Sequence, residues 1–158
     1  MTDPARRGDP SWARYPDTVL EIYRDGTVRI DLRERLDPDD CRRLRDLGLG
    51  ATFAVVTAAN PRGLALGEAE NHVRAELLDT EVVARGVRFL RADGVSPDGA
   101  HREVGVAVAM PLQAACELAA RYEQSALFWF DGERFWIIPV LETSRAPVAL
   151  PVAKEEGP

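Results

Sequence analysis

Two stretches of the chain alternate apolar and polar residues on either side of an Asp-Gly pair. The first, TVLEIYRDGTVRIDL, turns at Asp25-Gly26, and the second, ALFWFDGERFWIIPV, turns at Asp131-Gly132. Asp-Gly supplies the positive φ angles a two-residue hairpin turn needs, so each stretch predicts an antiparallel strand pair. Between the hairpins the pattern changes. In DPDDCRRLRDLG, Asp37 is a natural N-cap, Pro38 suits the first helical position, and Asp39 and Asp40 complement the positive end of the helix dipole; Gly48 or Gly50 closes the helix. ATFAVVTAA is a near-continuous apolar run with β-branched residues, which predicts a strand buried on both faces near the centre of a sheet.

A second helix is expected from Gly67 to Ala84, ending near Gly86. The strands VRFLRA and HREVGVAVAM follow, joined by DGVSPDGA, and Pro111 opens a third helix, LQAACELAARYE. The inward arc of that helix (Leu112, Ala115, Cys116, Ala119) is rich in alanine, and the small residues there would let it lie close to a sheet. The expected fold is a single α+β domain over residues 17–142, with a mixed, mostly antiparallel sheet and three helices in the order ββαβαββαββ. Residues 1–16, with Pro4, Pro10 and Pro16 among polar neighbours, read as a flexible N-terminal arm whose end Trp12 and Tyr15 could pin. Residues 143–158 read as a flexible C-terminal tail.

Composition narrows the function classes. A chain of 158 residues fits one domain with its own core, and 46% apolar with 29% charged residues is ordinary for a soluble globular protein. The net charge of -6 and the absence of a basic patch argue against nucleic acid. Lys154 is the sole lysine, a bias we attribute to coding composition and not to phosphate recognition. The N-terminal residues lack the apolar segment of a secretory signal, and no apolar run approaches the roughly 18 residues of a membrane span. Cys41 and Cys116 make neither a disulfide framework nor a zinc site. The expectation is a cytoplasmic protein with no membrane association, no metal and no cofactor.

The densest polar chemistry lies in TAANPRGLALGEAENHVRAELL. Asn60-Pro61-Arg62-Gly63 reads as a turn. Gly67 and Glu70 have capping-box spacing, and Glu70 and Arg74 are placed for a helical ion pair. At about 100° per residue, Leu66, Val73, Leu77 and Ala84 would mark the inward face, with Glu70 inside that arc and Arg74 at its margin. A carboxylate so placed must be paired, hydrogen-bonded or protonated. Asn60 falls just past the end of the central strand, where open sheets often bind ligands. Asn60, Glu70, Asn71 and Arg74 are therefore both cap-and-turn residues and candidate site residues.

Elsewhere, His101 and Glu103 share a face of one strand, with Asp98 nearby, but two ligands are too few for an ordinary metal site. Gln124 ends the third helix, where its amide could serve the last carbonyls or reach Asn60 or Glu103. Phe128, Trp129, Phe130, Phe135 and Trp136 occupy both faces of the last hairpin. One face must pack inward, and the other could offer an apolar surface to a protein partner or a second copy. No nucleophile elbow, phosphate loop or dinucleotide fingerprint is present.

From about Thr18 to Val140 the chain resembles a bacterial family of short proteins known as a domain of unknown function. That family carries a T-A-W-N-P turn, met here by Thr57, Ala58, Asn60 and Pro61. An E-N pair with a following arginine is met by Glu70, Asn71 and Arg74. An acidic residue opening a late strand is met by Glu103, and the last residue of an F-G-Q by Gln124. The chain departs from the pattern at Ala59, for tryptophan, and at Tyr122-Glu123, for phenylalanine-glycine. The resemblance implies fold boundaries and a residue list, and no reaction.

Two readings of function follow. One is an interaction or regulatory module working through the aromatic hairpin or an edge strand, which the sequence favours because no complete catalytic set is visible. The other is a small polar ligand site, or a hydrolase- or transferase-like enzyme with Glu70 or Glu103 as acid/base, built from Asn60, Glu70, Asn71, Arg74, Glu103 and Gln124. That reading requires these side chains to converge on one cleft.

Overall fold

A computed structural model of the chain describes residues 9–153. The strands are β1 (Val19–Tyr23), β2 (Thr27–Asp31), β3 (Phe53–Thr57), β4 (Phe89–Val95), β5 (Arg102–Val108), β6 (Ala126–Phe130), β7 (Phe135–Pro139) and β8 (Val148–Ala149). The helices are α1 (Pro38–Arg45), α2 (Glu68–Ala84) and α3 (Leu112–Arg121). All eight strands form one curled sheet in the order β2-β1-β4-β5-β3-β6-β7-β8.

The single α+β domain, its three helices and the order of its first seven strands are those the sequence predicts; β8 is an addition. The parallel pairings allowed for in a mixed sheet do not occur: every pair is antiparallel. The crossovers through α2 and α3 do join strands that run the same way, but a third strand fills each of these two gaps. β3 and β4, linked by α2, both pair with β5; β5 and β6, linked by α3, both pair with β3. The hairpin β4–β5 folds its second strand back into the slot that a direct parallel pair would have occupied.

β3 lies inside the sheet, between β5 and β6, as its apolar run predicts. Phe53 and Val55 point into one core, with Leu20, Ile30, Leu44 of α1, Phe130 and Phe135. Ala54 and Val56 point into the other, with Leu78 and Val82 of α2 and Ala115, Leu118 and Ala119 of α3. Strand alternation thus makes one segment the floor of two cores. Ala115 and Ala119 are fully buried, and with no long side chain between them α3 approaches the sheet closely.

Local chemistry mostly follows expectation. Asp37 accepts from the Asp40 N–H at 2.7 Å, and Asp40 reaches back to the Asp37 N–H at 3.3 Å, a complete capping box with Pro38 in the first turn. In the first hairpin Asp25 (φ 50°) and Gly26 (φ 133°) take the positive angles expected, but the loop holds three residues, because Tyr23 pairs with Thr27. In the second, the Asp131 N–H donates to the Arg134 carbonyl at 3.0 Å, which moves the turn to Gly132-Glu133. Asp131 instead accepts from the Glu133 and Arg134 N–H groups and from Trp136 Nε1.

The described parts of both expected loose ends are packed. Trp12–Asp17 is a 3-10 turn that seats Trp12 and Tyr15 against the first core, with the Tyr15 ring edge-on to Phe128 at 6.1 Å. Val148–Ala149 adds the eighth strand, and Leu150 is buried. Val148 and Leu150, one pleat period apart, both reach that core, so burial binds a segment whose prolines read as a tail. Residues 1–8 and 154–158 of those ends lie outside the described residues.

Candidate ligand-binding cleft

β3 ends at Thr57, and the chain reverses over Asn60 and a short 3-10 turn at Pro61–Gly63. Asn60 adopts the left-handed conformation (φ 47°), which asparagine tolerates better than most residues. Its backbone N–H donates to Asn71 Oδ1 at 3.0 Å. Its Oδ1 accepts from the Leu66 N–H at 3.0 Å and from Asn71 Nδ2 at 2.9 Å. Its Nδ2 donates to Glu103 Oε1 at 3.0 Å. One turn further along α2, Arg74 donates through Nε to the Ala58 carbonyl at 2.6 Å and through Nη2 to the Tyr122 carbonyl at 2.5 Å. Gln124 is buried and donates from Nε2 to the carbonyls of Ala59 (3.0 Å) and Tyr122 (3.1 Å). Its Oε1 accepts from the Thr57 hydroxyl at 3.0 Å. The strand end, the helix start and the end of α3 are locked together by side chains acting on backbone.

The face of α2 differs from its predicted one. Leu78 and Val82 are its buried residues, while Val73 and Leu77 are 54% and 56% exposed. Two apolar stripes compete along this helix, and periodicity alone does not separate them. The inward stripe runs through Asn71, Arg74, Leu78 and Val82. Its first turns are polar because the strand end and the α3 terminus present carbonyls there. Glu70 is thereby turned to solvent; it forms neither the expected capping box nor an ion pair with Arg74. Asn71→Ala should therefore lose about 1–2 kcal/mol in chemical denaturation, since two bonds to Asn60 vanish. Glu70→Ala should stay within about 0.5 kcal/mol of the parent, as exposed substitutions do. Equal losses in the two variants would contradict this assignment.

The far side of the same strand end opens onto a cleft of about 580 Å³. Leu20, Val55, Ala126, Phe128 and Ile137 give it an apolar floor, and Tyr15 of the 3-10 turn walls one side. Thr57, Asn60, Glu103 and Gln124 form its polar end. Arg14, Arg33, His101 and Arg102 are exposed and stand at the rim. Arg33 is held by Asp31, and Arg102 by Glu21 and Asp93. Burial pushes the Glu103 carboxyl above the usual carboxylate range, and the negative charge of Asp9 adds to that, against the hydrogen bonds from Asn60 and Thr57. Burial also raises the Tyr15 phenol, with the Asp9 charge contributing.

Asp9 was not among the sequence candidates. It is buried behind Gly63 and accepts from the Ser11 N–H at 2.7 Å, the Ser11 hydroxyl, and the Tyr15 hydroxyl at 2.9 Å. Burial opposes its charge, but bonds from Ser11, Ser125 and Tyr15 outweigh that and hold its carboxyl below the usual value. The sequence signal was an aspartate two residues before the N–H it caps, a turn signature too common to single out. Thr57 and Tyr15, which do line the cleft, were not among the candidates either.

Of the candidates, Asn60, Glu103 and Gln124 meet at the cleft; Asn71 and Arg74 hold the turn behind it, and Glu70 takes no part. Asp98 is spent inside its own loop on Ser96 and the Ala100 N–H. Among the described residues no group of three metal-ligating side chains occurs. In the last hairpin Phe130 and Phe135 are core residues, and Phe128, Trp129 and Trp136 are half-buried.

Residues 56–127 match a family described as "Protein of unknown function (DUF3293)". This span runs from β3 into β6 and contains every residue on which the resemblance above rests, though it is shorter than the Thr18–Val140 expected. Ala59, where the family motif has tryptophan, is buried and does not line the cleft. No curated protein and no solved structure matches the chain. No helix among the described residues is long and apolar enough to cross a membrane.

Proposed function

We propose that the cleft is a binding site for a small organic molecule with an apolar body and one polar head. The observation that carries this reading is the convergence of Thr57, Asn60 and Glu103, from two strands and a turn, at one end of an apolar trough. Binding sites have this composition: mostly apolar walls with a few placed polar groups. The volume suits a molecule of one or two rings, at the lower half of the usual range of roughly 300–1,000 Å³. The rigid turn behind the polar end keeps Asn60 and Glu103 in place without help from the ligand, which lowers the ordering cost of binding. The half-buried rings of the last hairpin give the module reading less support than the cleft gives this one.

The test is a titration with 2-phenylethanol, a neutral probe of suitable shape, followed by amide NMR shifts. The expected shifts fall on Gly63, Ala65, Gly94 and Ser96 around the cleft, and disappear in Ala126→Trp, which fills the floor. Shifts confined to the exposed α2 residues Val73, Leu77 and Val83, or to Trp129 and Trp136, would overturn the cleft and favour a partner surface.

A further inference from the structure

The head group can be narrowed by accounting for donors at the polar end. Gln124 uses its amide nitrogen on two carbonyls, which forces its oxygen to act as an acceptor. Thr57 has one proton, and both Gln124 and Glu103 lie within its reach. The Tyr15 proton goes to Asp9. Asn60 spends its carbonyl on Leu66 and Asn71 and one amide proton on Glu103. What remains is mostly acceptor capacity: the second oxygen of Glu103 and lone pairs on Thr57 and Tyr15, against one spare Asn60 proton.

Charge points the same way. Among the described residues Glu103 has no ion-pair partner. Behind it the Asp9 carboxylate is stabilised by hydrogen bonds from Ser11, Ser125 and Tyr15. The rim arginines are exposed, and two of the three are bound to carboxylates outside the polar end. A half-buried carboxylate near a second one, with no cation at the polar end among the described residues, is a costly arrangement unless something compensates it.

Resting on the cleft reading above, we propose that the ligand is an amine: an apolar body carrying a protonated ammonium head that donates to Glu103, Thr57 and Tyr15. The ammonium brings donors to an acceptor-rich end and a positive charge to Glu103, which has no ion-pair partner among the described residues. A carboxylate or phosphate head would meet like charge and one free proton.

Three probes with the same ring and a two-carbon link decide it: phenethylamine, 2-phenylethanol and 3-phenylpropanoate, titrated by NMR at pH 7.5 into the whole chain. The expected order is phenethylamine tightest, the alcohol weaker, and the acid without shifts at the cleft. Glu103→Gln keeps an acceptor for Asn60 and removes a carboxylate that burial disfavours. It should melt no lower than the parent and lose phenethylamine affinity by at least about tenfold, a larger factor than it loses for the alcohol. If the acid binds as well as the amine, or Glu103→Gln leaves the amine's affinity unchanged, the amine assignment is wrong while the cleft stands. If none of the three shifts cleft residues, the cleft itself is wrong.

Discussion

Gln124→Ala should be among the most damaging single changes in this protein, at about 2–4 kcal/mol of stability. The amide joins three elements at once: the end of β3 through Thr57, the following turn through the Ala59 carbonyl, and the end of α3 through the Tyr122 carbonyl. Tyr122 keeps Arg74 as a donor, but the side-chain donor to the buried Ala59 carbonyl goes and a small void opens. Urea unfolding measures the loss, and a melting point lower by roughly 4–16 °C should accompany it. Gln124→Glu sharpens the test. A carboxylate would face two carbonyl oxygens, so its folded-state pKa would rise above the unfolded value. Stability would then be greatest at low pH and fall as pH rises through the folded value. A Gln124→Glu variant at least as stable at pH 8 as at pH 5 would show that the amide nitrogen is not the working group.

Gly105→Ala should cost about 3 kcal/mol, at the upper end of what overpacking usually costs. Gly105 lies in β5 opposite Thr57 on one side and Ala92 on the other. A Cβ there would sit 2.5 Å from the Val56 carbonyl oxygen, 2.7 Å from Thr57 Cγ2 and 3.0 Å from the Ala92 carbonyl oxygen. Two of these are backbone atoms of flanking strands, so neither ladder can yield by a rotamer change. The displacement would also move Glu103, one pleat period away, and both probe affinity and melting temperature should fall. A variant melting within about 2 °C of the parent would mean the strands part here at little cost.

These two sites mark how far the sequence could be read. Gln124 stood out as a polar residue ending a helix, and its carbonyl-capping role was anticipated. That it also reaches Thr57 was not, because nothing local brings residue 57 to residue 124. Gly105 carries no signal in one sequence, since its importance comes from the carbonyls of two other strands. α2 is the sharpest failure. Val73 and Leu77 are apolar and correctly spaced, yet they face solvent, because just past the strand end Asn71 accepts from the Asn60 N–H and Arg74 donates to the Ala58 carbonyl. Hydrogen-bond demand there outweighed the local apolar pattern, and moved Glu70 out of the site.

By itself the sequence determined the three helices and the first seven of the eight strands. Asp-Gly turns, the Asp37–Asp40 cap, the helix-closing glycines and the two-sided apolar run of β3 act over a few residues, so they are legible where they stand. Tertiary structure alone decided which strand filled the gap between two others, which stripe of α2 turned inward, and that Tyr15, Thr57, Asn60 and Glu103 line one cleft with Asp9 bonded to Tyr15 behind it. Those outcomes depend on backbone groups that distant segments leave unpaired, and a carbonyl in need of a donor has no signature in the residue that bears it.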